Sequence, residues 1–248
     1  MSLLRSDILR GGVLGTARSL RDGFLEMAWP TRCVGCDMPG ELLCPDCRDA
    51  LPLIDPAAAC PRCGAPHGFL ICTECWTPEG LVEYAFSRAV CALEFEGVAA
   101  KMVVAFKDGG ELRVANLIAL LIHQALAAAG AEDLGALVPV PATPSALHRR
   151  GYDHVDLIAR PLSELLGIGL RDVLVSRDVS DQRGLGRVQR DANMREAFST
   201  RRDSEPLPRR VLLVDDVFTT GATLDAAAGV LLEAGAEEVV AAAACRVW

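Results

Sequence analysis

The sequence predicts an α/β protein in which helices flank a parallel β-sheet and a small cysteine-rich domain precedes the sheet. Residues 211–214 are all apolar and β-favouring, which is typical of a strand buried on both faces. A helix is expected shortly after this strand, over residues 224–233, with Gly235 at its end. Eight of the ten cysteines form four Cys-x-x-Cys pairs farther upstream. A chain of 248 residues is long enough for one medium α/β domain and one small domain.

The composition indicates a folded protein and argues against some partners. Hydrophobic residues make up 51% of the chain and charged residues 23%, so we expect a packed core. The formal net charge of −8 argues against a protein that binds nucleic acid indiscriminately, because such domains are usually basic. No run of eighteen apolar residues occurs, and no signal-peptide pattern is visible. We therefore expect no transmembrane span and a cytoplasmic location.

The N-terminal residues 1–30 have apolar residues at close to helical spacing and predict an amphipathic helix. Charges of both signs on its polar side favour a helix that lies on its own protein. A membrane-surface helix or a partner-binding helix is the alternative.

The four cysteine pairs, within residues 31–79, predict a double zinc ribbon. Two such pairs supply the four thiolates of a tetrahedral Zn²⁺ site, whereas disulfides need an oxidising compartment. A redox Cys-x-x-Cys usually occurs singly beside a βαβ unit, which does not fit four pairs. Sequential sites leave short loops between pairs and are favoured, although an interleaved arrangement remains open. The predicted ligands are Cys33, Cys36, Cys44, Cys47, Cys60, Cys63, Cys72 and Cys75.

The larger domain is expected over residues 80–248, with strands and helices that alternate along the chain. Glycines and polar turns separate its apolar segments. The stretch 176–208 has little apolar periodicity, and a loop of this length is usually a functional lid or disordered. The predicted strands are 87–95, 136–140, 171–175, 211–214 and 239–244, and the predicted helices are 97–106, 111–129, 153–166 and 224–233.

A candidate ligand site follows the strand at residues 211–214. Asp215 and Asp216 are expected where this strand ends, and a turn of hydroxyls and glycine comes after them. Ligands of open α/β sheets bind beyond the carboxyl ends of strands, and a helix N-terminus attracts anions. We interpret the turn as a phosphate site and the two acids as ligands of a ribose or a Mg²⁺ ion. An ordinary strand-to-helix turn, with Asp and Thr as caps, is the alternative.

The motif Asp-Asp-x-x-Thr-Thr-Gly-x-Thr, at residues 215–223, resembles the signature with which type I phosphoribosyltransferases bind 5-phosphoribosyl 1-pyrophosphate (PRPP). With the cysteine pairs, Val-Pro-Val-Pro at 138–141 and Arg-Arg-Gly-Tyr at 149–152, the chain resembles the ComF family (ComFC and GntX-like proteins). Members of that family look like a double zinc ribbon fused to a type I phosphoribosyltransferase-like domain. Asp153-His154 replaces the family's usual Asn-Gln, which puts a polar contact there in doubt.

The resemblance implies a role for each matching position. Asp215 and Asp216 would be the catalytic pair that binds the ribose hydroxyls and Mg²⁺. The 5′-phosphate would lie against Thr219, Thr220, Gly221, Ala222 and Thr223. Pyrophosphate would face Val140, Pro141, Ala142, Thr143, Arg149 and Arg150. The lid would contain Gln182, Arg187, Arg190 and Asn193.

Three functions are compatible with these residues. The first is an accessory factor in DNA uptake and natural transformation that binds Mg²⁺-PRPP, with single-stranded DNA and competence proteins as partners. The second is an active phosphoribosyltransferase that acts on an unknown base or nucleotide. The third is a non-catalytic module that senses PRPP or binds DNA or protein. The family resemblance favours the first. Turnover stays open, as does a homodimer.

Overall fold

The computed structural model describes residues 30–66, 68–178, 197–201 and 205–248. The chain divides into two compact units, Met1–Leu51 and Pro52–Trp248. The predicted N-terminal helix lies outside the described residues apart from Pro30, and so do the lid residues Gln182, Arg187, Arg190 and Asn193. Among the described residues, no helix combines the length and apolarity needed to cross a bilayer.

In the first unit, the described residues form two tight turns and one short helix, α1 (Pro45–Asp49). Asp37, with a φ of 63°, donates its backbone N–H to the Cys33 carbonyl over 2.8 Å and so closes the first turn. Pro45 begins the helix, where a missing backbone N–H costs nothing. These turns are too small to bury a core, and they bring the cysteines of this unit together instead.

The second unit contains a five-stranded sheet whose neighbouring strands are all parallel. Its order is β3-β9-β8-β4-β5, so the strand with the candidate carboxylates, β8, lies in the middle. Two small antiparallel pairs, β1-β2 and β6-β7, accompany it. The strands are β1 (Trp76–Thr77), β2 (Gly80–Leu81), β3 (Arg88–Glu94), β4 (Ala136–Pro139), β5 (Gly169–Leu170), β6 (Leu174–Ser176), β7 (Phe198–Thr200), β8 (Arg210–Phe218) and β9 (Glu238–Arg246).

Helices cover both faces of the sheet, as the uninterrupted apolar strands predicted. Val211 and Leu213 belong to the cluster of buried residues that includes helix α6 (Ala222–Glu233), and Leu212 and Val214 point to the opposite face, against α5 (His154–Leu166). The helices of this unit are α2 (Gly97–Lys107), α3 (Val114–Ala128), α4 (Pro144–Arg150), α5 (His154–Leu166) and α6 (Ala222–Glu233). The α/β fold class with a parallel sheet is thus confirmed.

The observed elements differ from the predicted ones in several places. Two short strands, β5 and β6, stand in place of the predicted strand 171–175, and residues 171–173 between them belong to neither. Strand β8 continues to Phe218, so Asp215 and Asp216 lie within it and not after its end. The predicted loop over residues 176–208 contains β7, which pairs with β6 and buries Phe198. The short helix α4, which was not predicted, starts at Pro144 soon after β4 ends. Such short elements are held by pairing and capping, which apolar periodicity does not reveal.

Candidate functional site

The eight paired cysteines form two groups of four, in the sequential arrangement that the spacing favoured. In each group the sulfur atoms lie within 4.8 Å of one another. Two sulfurs of the first group, Cys36 Sγ and Cys44 Sγ, are 3.6 Å apart, and Cys63 Sγ and Cys72 Sγ of the second are 3.5 Å apart. A tetrahedral Zn²⁺ with Zn–S bonds of about 2.3 Å places its sulfurs about 3.8 Å apart. Both groups therefore fit a four-thiolate zinc site.

Backbone N–H groups point at the sulfurs in both groups. The N–H of Cys44 donates to Cys33 Sγ and that of Cys72 to Cys60 Sγ, each over 3.4 Å. Burial opposes ionisation of Cys33, but the N–H groups around it, that of Cys44 foremost, lower its pKa to about 6. Thiolate is the form that binds metal. The second group belongs to the core of the second unit, with Cys63 and Cys75 fully buried.

The candidate carboxylates lie where β8 extends past its neighbour β4. The paired residues of β4 and β8 end at Pro139 opposite Val214, after which the Val140 N–H donates to the Val214 carbonyl over 2.9 Å. On its other side β8 stays paired with β9 as far as Phe218 opposite Arg246. Within the described part of the chain, one edge of β8 is therefore free of strand pairing from Asp215 onward, at the carboxyl end of the sheet, where α/β proteins bind ligands.

Asp216 is held by two basic side chains. Its Oδ2 lies 2.5 Å from Lys107 Nζ and 2.5 Å from His154 Nε2. Burial by itself would raise the pKa of Asp216, but the hydrogen bond from His154 and the charge of Lys107 outweigh it and lower the pKa to about 2. Asp216 is therefore a carboxylate at neutral pH although its side chain is only 5% exposed.

The pKa of Asp215 is shifted in the opposite direction to that of Asp216. Successive residues of a strand point to opposite faces, so Asp215 points away from the face on which Asp216 meets Lys107 and His154. Burial, followed by the negative charge of Asp216, raises the pKa of Asp215 to about 8. Its Oδ1 accepts the backbone N–H of Asp216 over 2.8 Å. Two adjacent carboxyl groups with pKa values pushed apart are typical of a functional site.

Lys107 and His154 were missed by the sequence analysis. Lys107 is the last residue of α2, and the Tyr152 hydroxyl holds this helix end by donating to the Phe106 and Lys107 carbonyls over 2.8 and 3.2 Å. His154 is the first residue of α5. A rare lysine at a helix end was one available signal, because Lys107 is one of only two lysines in the chain.

The loop after β4, over residues 140–143, is fixed by polar side chains on both sides. The Ala142 N–H donates to Asp153 Oδ2 over 2.8 Å, and Ser176 Oγ donates to the Ala142 carbonyl over 2.6 Å. Asp153 also caps α5 by accepting the N–H groups of Val155 and Asp156. The polar contact that the Asp153-His154 departure put in doubt is therefore made, by Asp153 to the loop and by His154 to Asp216.

The basic residues after this loop differ from each other. Arg150 is partly buried, and its Nη2 lies 3.8 Å from Asp108 Oδ1. Arg149 is exposed at the end of α4. The structure thus brings Arg150 toward the turn that follows Lys107, and it leaves Arg149 on the surface.

The turn between β8 and α6 begins with two exposed threonines, Thr219 and Thr220, and reaches the helix through Gly221. The Ala222 N–H donates to Thr220 Oγ1 over 3.4 Å, and Arg246 Nη1 donates to the Thr219 carbonyl over 2.7 Å. The first N–H groups of a helix have no partner within the helix. Exposed hydroxyls beside such N–H groups have the donors that an anion needs, and the phosphate site expected from the sequence stays a prediction.

Gly221→Ala should lower the free energy of unfolding by about 1 to 2 kcal/mol, because the turn requires a left-handed residue without a side chain. The φ of Gly221 is 83°, and an added Cβ would lie 2.6 Å from Phe218 Cζ. Urea unfolding of the zinc-loaded protein measures the change.

Gly229→Ala is the matched control in the same helix. An added Cβ there meets only Ala85 Cβ at 4.0 Å, an ordinary contact. We expect it to raise stability by about 0.5 to 1 kcal/mol through helix propensity. Equal effects of the two substitutions would contradict the special role of the turn.

Comparison with known proteins agrees with this geometry. The family model described as "Phosphoribosyl transferase domain" matches residues 147–247, which contain both carboxylates and the turn. Competence protein F of Haemophilus influenzae is 40% identical over 107 residues, which are 42% of this chain and 47% of that protein. The DNA utilization protein YhgH of Salmonella typhi is 28% identical over 229 residues, 88% of this chain and 97% of that protein.

Two further similarities are found. Competence protein ComFC of Bacillus subtilis is 26% identical over 204 residues, which cover 79% of this chain and 80% of that protein. A crystal structure of adenine phosphoribosyltransferase superposes with a TM-score of 0.35 and 19% identity, over 58% of this chain and 75% of that one. The relatives named after competence protein F and ComFC, the phosphoribosyltransferase domain and the two four-cysteine groups all match one architecture. The chain is therefore similar to the ComF family.

Proposed function

We propose that this protein binds Mg²⁺-PRPP at the carboxyl end of β8. One observation carries the proposal: two buried carboxylates with opposite pKa shifts lie on a strand that leads directly into the glycine turn of α6. A ribose 5-phosphate needs hydroxyl acceptors and a phosphate cradle about one sugar length apart. The carboxylates and the turn, only a few residues apart on one strand-turn-helix unit, supply these two functions.

Each residue of the site has a task in this proposal. Asp215 and Asp216 accept hydrogen bonds from the ribose hydroxyls, while Thr219, Thr220 and the N–H groups that follow them bind the 5′-phosphate. The loop over residues 140–143, held by Asp153, faces the pyrophosphate. A bound Mg²⁺ would neutralise phosphate charge. Asp216 has the carboxylate oxygens that Mg²⁺ prefers, and Asp215 would supply them once it has lost its proton. Lys107 and His154 hold the Asp216 carboxylate in one orientation.

We also propose that both four-cysteine groups hold structural Zn²⁺. Four protein thiolates complete the tetrahedral shell and leave no position for a substrate. The zinc sites therefore act through the shape of the chain around them. Metal analysis of the purified protein should give two zinc ions per chain.

In the cell, we place this PRPP-binding protein in the cytoplasm as an accessory factor in DNA uptake. The names of its relatives, competence proteins and DNA utilization proteins, support this role. Single-stranded DNA would meet the arginine-rich parts of the chain, Arg149–Arg150 and Arg177–Arg210, with Arg187 and Arg190 among them. Release of pyrophosphate from PRPP in the presence of an acceptor measures turnover.

Calorimetric titration with PRPP and Mg²⁺ tests the proposal. The wild type should bind, and Asp215→Asn/Asp216→Asn should lower affinity at least about 100-fold, because the charge-assisted hydrogen bonds to Asp216 and one buried carboxyl acceptor of Asp215 are lost. Asp172→Asn is the matched control, since Asp172 is an exposed acid paired with Arg201 at the surface. It should bind as the wild type does.

No heat of binding in a folded, zinc-loaded wild type would refute the proposal. Equal affinity of the wild type and the double variant would place PRPP elsewhere. Circular dichroism of each variant separates a lost site from a lost fold.

A further inference from the structure

Arg246, the last residue of β9, is a buried cation outside the carboxylate site. It is 1% exposed and belongs to the largest fully buried side chains among the described residues. Burying a guanidinium costs several kcal/mol unless partners surround it. The partners of Arg246 therefore show what its burial serves.

The guanidinium of Arg246 touches two structures at once. Nη1 donates to the carbonyl of Thr219, in the proposed phosphate turn, over 2.7 Å. Nη2 lies 3.8 Å from Cys63 Sγ, a sulfur of the second cysteine group, and pairs with the carboxylate of Glu74, between Cys72 and Cys75. The ring of Phe218 lies under the guanidinium, 4.5 Å from its central carbon. A single side chain thus spans from the cysteine group to the turn.

Aromatic packing forms a second connection between the same two structures. Tyr84, a few residues after the cysteine group, stacks on Phe86 at 4.6 Å, and Phe86 meets Phe218 edge-on at 6.1 Å. Phe218 in turn fills the space beside Gly221, where a Cβ would lie 2.6 Å from its ring. The Ala85 N–H donates to Asp225 Oδ1, in the first turn of α6, over 2.6 Å. The linker after the cysteine group therefore packs under the turn.

Charge makes the Arg246 contact sensitive to metal. Four thiolates around Zn²⁺ carry a net charge of about −2, which a neighbouring buried cation stabilises. With the metal bound, Cys63 is a thiolate, and its negative charge attracts the guanidinium of Arg246. Arg246 then donates a hydrogen bond to the Thr219 carbonyl and places positive charge beside the turn that would bind a phosphate.

We propose that Arg246 is a positioning residue through which zinc in the Cys60/Cys63/Cys72/Cys75 group and PRPP in the turn strengthen each other's binding. This inference rests on the proposed binding of PRPP. Because coupling between two ligands is reciprocal at equilibrium, PRPP must raise the affinity of this group for zinc by the factor by which zinc raises the affinity for PRPP.

The experiment measures zinc affinity by equilibrium competition with a zinc-selective chelator, with and without PRPP and Mg²⁺. The full chain with Cys36→Ser is used, so that the second group supplies the signal. PRPP should raise its zinc affinity roughly 5- to 50-fold, within the usual range of allosteric coupling. In the same background, Arg246→Lys should still bind zinc and lose most of this gain, because an ammonium lacks the planar fork that reaches both partners.

Glu74→Gln is the second variant, since Glu74 is half exposed and its loss leaves the core intact. Glu74→Gln should reduce the rise in zinc affinity that PRPP causes, because Arg246 loses its ion pair with Glu74. If Arg246→Lys does not fold, Glu74→Gln provides the test. PRPP that binds without any change in zinc affinity overturns the inference, and so does an undiminished gain in both variants. If PRPP does not bind the parent protein at all, the proposed function is wrong. If PRPP binds and zinc affinity stays unchanged, only the coupling through Arg246 is wrong.

Discussion

Asp216→Asn is expected to lower the free energy of unfolding by about 3 kcal/mol. The substitution removes the negative charge that faces Lys107 and His154, each 2.5 Å from Asp216 Oδ2. The Lys107 side chain is 23% exposed, so water replaces the lost partner only in part. Removing one member of a buried ion pair usually costs about 3 to 5 kcal/mol, because the other charge stays desolvated.

A second substitution distinguishes this cause from a general loss of packing. Lys107→Met removes the stranded charge, so the double variant Lys107→Met/Asp216→Asn should recover at least about 1 kcal/mol relative to the sum of the single changes. Urea unfolding of the zinc-loaded proteins gives all three values. The exposed Asp172→Asn serves again as the control and should change stability by less than about 0.5 kcal/mol.

Additive effects of the two substitutions would show that Lys107 and Asp216 do not interact in solution. Stability equal to that of the wild type in Asp216→Asn alone would lead to the same conclusion. Either result would also contradict the role of Lys107 and His154 in orienting the Asp216 carboxylate.

The sequence was sufficient for those parts of the site that a local pattern encodes. Cys-x-x-Cys spacing predicted both thiolate groups, and the Thr-Thr-Gly turn needed only neighbours in sequence. Gly221 was predicted in the turn, and the observed α6 begins immediately after it, two residues before the predicted start at 224. Short-range geometry fixes such features before the chain folds as a whole.

The missed residues depend on contacts between distant segments. Lys107 and His154 are far from Asp216 in sequence and meet it only because α2 and α5 end or begin at the same edge of the sheet. Arg246 lies at the end of an apolar strand, where nothing in the local sequence indicates a partner such as Cys63. The sheet order brings these residues together, and apolar periodicity carries no information about that order.

The strand boundaries were wrong at β8 for a related reason. Asp215 and Asp216 are unfavourable in isolated strands, so the sequence placed the strand end before them. Pairing with β9 continues through Phe218 and overrides this preference. The carboxylates are consequently held on a rigid strand, and the burial that follows is the source of their pKa shifts.

The second large effect expected is a pH dependence of stability that originates from Asp215. Its pKa is about 8 in the folded protein against an ordinary value of 3.8. Between these values the folded protein keeps a proton that the unfolded chain has lost. Stability must therefore fall as the pH rises through this window, by up to about 1.4 kcal/mol per pH unit for one proton.

Asp216 has the opposite sign and a different window. Its pKa of about 2 lies below the ordinary value of 3.8, so its contribution to stability is present above about pH 4 and is lost in acid. Near neutral pH only Asp215 of this pair changes protonation. The two carboxyl groups can thus be separated by choosing the pH range.

Asp215→Asn cannot ionise and should flatten this decline. From about pH 5.5 to about pH 7.5 the wild type should lose about 2 to 3 kcal/mol more stability than the variant. Urea unfolding with zinc kept saturating measures both proteins, and the difference between them cancels titration of histidines and cysteines elsewhere. Parallel curves would mean that Asp215 is already ionised in the folded protein. The Asp216 charge would then be neutralised more completely by Lys107 and His154 than their contacts indicate, and both carboxylates would be ready to bind a cation at neutral pH.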